Sequence, residues 1–246
     1  MLHTYPLFDE HLDNIEHSKV LISTLNAHSY NTVHKDEEFK TALKNSNVLL
    51  PDGIGVVWAT KILTGQKIRK IAGDDLFHYQ MNRLNKAGGK CFFLGSTEAT
   101  LQKIAVKAAI DYPNVLVFTY SPPFKSEFSD EDNRLMIEKI NAESPDVLFV
   151  GMTAPKQEKW AFQNFDKLNA KHVCCIGAVF DFYAGTTKRA PKWMISIGME
   201  WFYRLISNPK RMWRRYLIGN TQFIIRILKE RVLLAKSANR ITVDSL

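Results

Sequence analysis

The stretch NVLLPDGIGVVWA, residues 47–59, decides the architecture. A short apolar run at 47–50 stops at Pro51-Asp52-Gly53, and an apolar helical pattern begins at Ile54. An apolar run of strand length, bounded by turn residues, reads as a strand buried on both faces, as in parallel sheets. The same unit recurs in both directions along the chain. Strands are expected at 20–24, 47–50, 91–94, 115–120, 147–150 and 173–176. Helices are expected between them at 27–44, 54–63, 76–85, 101–110, 134–141 and 157–168. This alternation predicts an α/β fold, a Rossmann-like, doubly wound and mostly parallel sheet. Such sheets bind ligands at the carboxyl ends of their strands. Polar, glycine-containing turns follow the strands there, at 51–55, 95–97, 151–155 and 177–178. Glycine lets backbone approach a ligand closely, and helix N-termini offer N–H groups to phosphate. None of these turns is a P-loop or a complete GxGxxG, so alone they indicate only a phosphate-bearing ligand.

Composition narrows the class. The 246 residues suit one large domain or a domain with an appendage, and 46% apolar content supports a packed core. Cys91, Cys174 and Cys175 lack the number and spacing of a disulfide framework or a zinc site, so buried thiols in a reducing compartment are expected. Residues 1–13 carry acids and histidines instead of a basic, then apolar, leader. No apolar run approaches the ~20 residues that span a bilayer. A chain neither exported nor membrane-spanning is therefore expected.

Charge is uneven. Of 33 basic and 25 acidic residues, 13 bases and only two acids fall between Lys188 and Arg240, so that stretch carries +11 and the remainder −3. Two units are expected: an α/β catalytic domain over 1–187 and a helical, basic appendage over 188–246. Pro191 and Pro209 sit where first helical turns would start, and Gly219-Asn220 reads as a break before a last helix at 221–236. Arg211, Arg214 and Arg215 lie three to four apart and are expected on one helical face. Basic residues interleaved with Trp193, Trp201, Tyr203, Trp213 and Tyr216 suit an anionic membrane surface. A solvated helix whose aromatics pack on the body, or a nucleic-acid tail, are the competing readings.

Several residues could carry chemistry. Asp52 stands at the ligand edge, although on local grounds an N-cap for the next helix is the simpler reading. Thr24 ends the first strand at the same edge. Gln157 and Glu158 open a helix, where an ordinary polar first turn competes with a ligand contact. Asp130-Glu131-Asp132 looks like a metal-binding acid group but follows Ser129 at a helix start, so capping is expected and a metal site is not. The histidines show no HExxH spacing, and no serine occupies a nucleophile elbow.

At this point the blocks resemble the bacterial WecG/TagA/CpsF glycosyltransferases. They are PDGIGVVWA (51–59), IAGDDL (71–76), FFLGS (92–96), PDVLFVGMTAPKQEKW (145–160), GAVFDFYAGTTKRAPKWM (177–194) and EWFYRLISNPKRMWRRYLIGN (200–220), in family order over nearly the whole chain. The resemblance implies inverting, metal-independent transfer, with no cofactor, of N-acetylmannosamine from a UDP-sugar donor. The acceptor it implies is N-acetylglucosamine on undecaprenyl diphosphate; transfer of the uronic acid or of glucose is the alternative within the family. It implies Asp52 as base with Thr24 beside the substrate. It carries substrate-binding roles onto Asn26, Gly53, Gly73, Asp75, Gly95, Ser96, Gly151, Lys156, Gln157 and Asp181. Arg189, Arg204, Arg211, Arg214 and Arg215 are expected near diphosphate or membrane. A peripheral enzyme on the inner face of the cell membrane follows, able to form a homo-oligomer and binding no nucleic acid. Family members usually carry a strand and helix before the region equivalent to Val20; here residues 6–17 have room for one short helix, so a differently covered sheet edge is expected.

Overall fold

In the computed structural model, the backbone is described for residues 1–244 except His17, and side chains through Ser237. All six expected strands form: β1 (Val20–Leu25), β2 (Val48–Pro51), β3 (Lys90–Gly95), β4 (Leu116–Tyr120), β5 (Val147–Gly151) and β6 (His172–Cys175). They make one sheet in the order β2-β1-β6-β5-β3-β4, with every pairing parallel. The connecting helices are α1 (Ala27–Thr32), α2 (Glu37–Lys44), α3 (Ile54–Thr64), α4 (Gly73–Ala87), α5 (Glu98–Asp111), α6 (Asp130–Glu143), α7 (Lys156–Asn164) and α8 (Val179–Tyr183). The appendage supplies α9 (Lys192–Ser196), α10 (Glu200–Ser207), α11 (Pro209–Trp213) and α12 (Gly219–Asp244).

Side chains alternate across the strands, and both faces are dry except along the edge strand β4, which is half-buried with Leu116 exposed. Ile22, Phe93, Phe149 and Cys174 pack with Leu76, Phe77, Ile104 and Phe180 on the side of α4, α5 and α8. Leu21, Phe92, Leu148 and Val173 pack with Met136, Ile140 and Trp160 on the side of α6 and α7. Continuous apolar strands are what two covered faces demand. A third cluster joins Leu25 and Leu49 to Tyr30, Phe39, Val56 and Leu63, and also to Phe223 and Ile227 of α12. The long appendage helix therefore shares core with the body.

Four local expectations change. The helix expected at 27–44 is two, because the Asp36 side chain accepts the Phe39 N–H at 2.9 Å and starts a new helix, with Glu37 and Glu38 favoured at its positive end. The helix expected to reach Leu168 ends at Asn164 and tightens into a 3-10 turn, Phe165–Lys167. No α-helix forms within 6–16; a 3-10 turn lies at Leu12–Asn14, and His17 is outside the described residues. Instead Leu7 bridges Leu49 and the Phe8 N–H donates to the Leu49 carbonyl at 2.9 Å, so an extended segment covers the free edge of β2. Finally, there is no break at Gly219-Asn220. A π-helical turn, Arg214–Ile218, joins α11 to α12, and Gly219 is helical at φ −64°. The Asn31 side-chain amide donates to the Gly219 carbonyl at 2.7 Å, pinning the far end of that wide turn to α1. Ser245 and Leu246, the end of the expected appendage, lie outside the described residues. Among the described residues no helix is long and apolar enough to cross a membrane.

Candidate active site

Parallel register sets the site. Thr24 lies opposite Leu50 and Leu25 opposite Pro51, and the Asp52 N–H donates to the Leu25 carbonyl at 2.9 Å. Thr24, Asn26 and Asp52 therefore share the carboxyl edge, where β3, β5 and β6 deliver Gly95, Gly151 and Gly177. Asp52 is not a cap. Gly53 holds the cap position of α3 at φ +109°, and no side chain caps that helix. The Asp52 carboxylate is left free for other work.

Its surroundings are charged and dry. Burial pushes the half-buried Asp52 carboxyl up to about 6; Glu200 adds to the rise, and Lys70, Arg204 and Arg215 oppose it. Three of these four groups belong to the appendage. Arg215 is half-buried with its Nε lacking a hydrogen-bond partner, and its guanidinium lies 5.8 Å from the Tyr216 ring centre. Burial lowers its pKa first, with Arg204 and Arg211 adding positive charge nearby. Arg204 and Arg189 stand 5.2 and 6.0 Å from the Phe182 ring centre. Arg189 also pairs with Asp74 and lies 3.9 Å from Glu200.

The expectation that Arg211, Arg214 and Arg215 share one face is corrected. The π-turn starts at Arg214 and breaks the α-helical spacing on which the expectation rested. Arg215 turns inward, while Arg211 and Arg214 are exposed and Arg214 lies 5.2 Å from the Trp213 ring centre.

The other candidates divide between open and engaged positions. A Cβ on Gly53 would meet nothing within 4 Å. A Cβ on Gly95, at φ +121°, would lie 2.6 Å from the Gly151 carbonyl oxygen, and one on Gly151 2.5 Å from the Phe180 ring. These two glycines let the ends of β3 and β5 pack. Gly73 packs 3.5 Å from Ile176 by the same measure. Asn26 caps α1, its oxygen accepting the Ser29 N–H at 3.0 Å. Asp75 reaches back to the Ala72 N–H at 2.7 Å, so its neighbour Asp74 is the acid that meets Arg189. Ser96 has φ +57°, and its carbonyl accepts the Ser121 hydroxyl at 2.9 Å. Lys156 donates to the Lys125 carbonyl at 2.5 Å and lies over Phe128, toward the loop after β4. Asp181 is half-buried and accepts the Thr186 hydroxyl at 3.5 Å.

Gln157 and Glu158 do not form an exposed polar turn. Both are buried, and the Gln157 amide donates to Glu158 Oε1 at 2.8 Å. Burial pushes the Glu158 carboxyl up to about 7. Gln157 Oε1 and Glu158 Oε2 have no hydrogen-bond partner, an uncommon state for buried oxygens and one that a ligand donor beside Gly177 would relieve.

The acid run after Ser129 is a cap: Asp132 accepts the Ser129 N–H at 2.9 Å and pairs with Lys125 at 2.7 Å. Among the described residues no group of three or more His, Cys, Asp or Glu could hold a metal. All three cysteines are buried free thiols. Lys70, Asp74 and Glu200 were not singled out from sequence. An acid three residues past the cap usually bonds back to it, which could have assigned Asp75 and released Asp74. Nothing local marks Glu200, whose role depends on where α10 folds back.

The profile of the "Glycosyl transferase WecG/TagA/CpsF family" matches residues 4–237. An N-acetylglucosaminyldiphosphoundecaprenol N-acetyl-beta-D-mannosaminyltransferase of Bacillus subtilis (strain 168) is 35% identical over 211 residues, 85% of this chain and 79% of its own length. Proteins of the same name from Bacillus spizizenii (strain ATCC 23059 / NRRL B-14472 / W23) and Staphylococcus aureus (strain MRSA252) are 29% and 26% identical. They align over 82% and 89% of this chain and 76% and 84% of their own lengths.

Proposed function

The chain belongs to the glycosyl transferase WecG/TagA/CpsF family, and on that premise we propose that it transfers N-acetylmannosamine from a UDP donor to N-acetylglucosaminyl diphosphoundecaprenol. The acceptor and the sugar are those in the names of its relatives. The observation that carries the reading is the meeting of Asp52 with Lys70, Arg204 and Arg215 at the carboxyl edge of the sheet.

Asp52 takes the proton of the acceptor hydroxyl as that oxygen attacks C1 of the donor sugar. The bond from C1 to the diphosphate oxygen breaks on the opposite face, so the anomeric configuration inverts. UDP leaves with the bonding pair, and the proton stays on Asp52. A base of this kind contributes ~10²–10⁴-fold. The guanidiniums of Arg204 and Arg215, with Lys70, stabilise charge growing on the departing diphosphate, a task preorganised cations perform without metal. Thr24 stands beside Asp52 to orient the acceptor. Gln157 Oε1 accepts a hydrogen bond from the donor.

The appendage brings the site to the lipid. Trp193, Ile197, Ile206, Trp213 and Leu217 are exposed among its Lys and Arg residues. That composition supports reversible binding to an anionic leaflet, hence a peripheral protein on the inner face of the membrane.

The test supplies UDP-sugars one at a time with a short-chain GlcNAc-diphosphate-lipid analogue and measures disaccharide-lipid formation. Product with UDP-N-acetylmannosamine is expected. Product only with the uronic acid or glucose donor would reassign the sugar, and none with any donor would reject the acceptor.

A further inference from the structure

The chain between Asp52 and Asp74 carries Lys61, Lys67, Arg69 and Lys70 and no acid. It comprises α3 and an irregular loop to α4, all in the catalytic body. α3 turns Val56, Ala59 and Leu63 into the core, which leaves Trp58 and Ile62 on its outer side, 62% and 47% exposed. Lys61, Lys67 and Arg69 are exposed and take part in no recorded ion pair among the described residues. Lys70 is half-buried, and its charge favours the ionised form of Asp52.

This segment adjoins the appendage at two points. Gly55 lies against the Phe223 ring of α12, 3.5 Å from a Cβ built on the glycine. Gly198, between α9 and α10, sits so close to Ile54 that a Cβ there would be 2.8 Å from its methyl group. α3 therefore packs against α12, which carries exposed apolar residues of its own, among them Ile224, Ile225 and Leu228. The loop also returns to the site, because the Ile71 N–H donates to the Pro51 carbonyl at 3.0 Å.

We propose that the membrane face is composite: α3 and the loop after it, through Trp58, Ile62, Lys61, Lys67 and Arg69, bind the anionic leaflet together with the appendage. An exposed indole and isoleucine beside unpaired cations is the chemistry of a bilayer interface, where apolar groups enter the acyl boundary and cations stay at the headgroups. The consequence is orientation. Contacts on the appendage alone leave the body free to pivot, whereas contacts on both sides of Asp52 aim the strand ends at the lipid diphosphate. The proposal rests on the membrane reading of the appendage.

Nitroxide on Ile62→Cys, and separately on Ile206→Cys in α10, reads the two parts independently in the full chain, since the native cysteines are buried. On phosphatidylglycerol/phosphatidylcholine vesicles both labels are expected to gain exposure to oxygen and lose exposure to a water-soluble nickel chelate. The variant Lys61→Gln/Lys67→Gln/Arg69→Gln is expected to bind those vesicles roughly a hundredfold more weakly. An Ile62 label that stays in water while the Ile206 label enters the bilayer overturns the composite face and leaves the appendage reading intact. If neither label enters, both fall. Unchanged vesicle binding by the triple variant, with loss only of a duplex-oligonucleotide shift, assigns these cations to nucleic acid and likewise overturns the proposal.

Discussion

Asp52 can act as a base only while ionised, and its neighbourhood resists ionisation. Asp52→Asn is expected to lower kcat by ~10²–10⁴-fold while UDP still binds by calorimetry. In the wild type, kcat/KM should fall as pH drops through about 6. The stability sign is opposite to that of a salt-bridged acid. The folded-state value lies above the usual 3.8, so the charge destabilises the fold above about pH 6 and ceases to do so below 3.8. Asp52→Asn should therefore melt higher than wild type at about pH 8, with the gap closing as pH falls through that window. Gly95→Ala pairs a strained φ with a Cβ 2.6 Å from a carbonyl oxygen, and is expected to cost about 1–3 kcal/mol or more in urea unfolding. At this scale sequence was a partial guide. The strand–Pro–Asp–Gly order brought Asp52 to the ligand edge, yet local statistics favoured a cap, because nothing nearby in sequence shows Gly53 at positive φ. The burial of Glu158 was not legible for a related reason: a helix's first turn faces water unless another layer covers it, and here α7 lies against α2 and β6.

Elements were more legible than their ends. Five of the six strands were legible because both sheet faces are covered there, which forces apolar runs that stand out from their turns, while the half-buried edge strand β4 was marked by its β-branched and aromatic residues. The split between α1 and α2 was also written locally, in Asp36 followed by two glutamates, but the apolar periodicity on either side masked it. The π-turn was not legible, since a five-residue turn leaves no period of its own in the spacing of arginines and aromatics. What holds α12 is a long-range polar anchor: the Tyr30 hydroxyl donates to buried Glu230 at 2.6 Å, and the His3 ring contacts the same carboxylate at 2.6 Å. Tyr30→Phe leaves that carboxylate short of a donor, an expected loss of about 1–3 kcal/mol in thermal unfolding. Limited proteolysis should then cut α12 earlier than in wild type. Unchanged protection would mean that Phe223 and Ile227 hold the helix unaided.

For the molecule as a whole, the charge asymmetry read from sequence is also a spatial one: the body carries Asp52 and the appendage carries two of the three cations that act on it. Removing everything after Thr187 is a blunt test of docking, since it would bare Tyr30, Val56 and Leu63 where α12 now packs. Replacing exposed Trp193, Ile197, Ile206 and Trp213 by Ser should instead leave the fold intact and reduce co-sedimentation with anionic vesicles, with what binding remains weakening further as salt rises. The π-turn then acquires a mechanical meaning. A helix advances about 100° per residue, so the wide turn at Arg214–Ile218 sets the rotational phase between the arginines upstream and the anchored face downstream. The five residues of the wide turn advance about as far round the axis as four of an even helix, so one extra residue is absorbed there; inserting a further alanine after Asn220, with α12 still clamped by Glu230, would instead swing Arg215 about a quarter-turn around the axis. Such an insertion should keep its helical circular dichroism near wild type yet lose transfer, as a key cut to the right profile fails when turned in its lock.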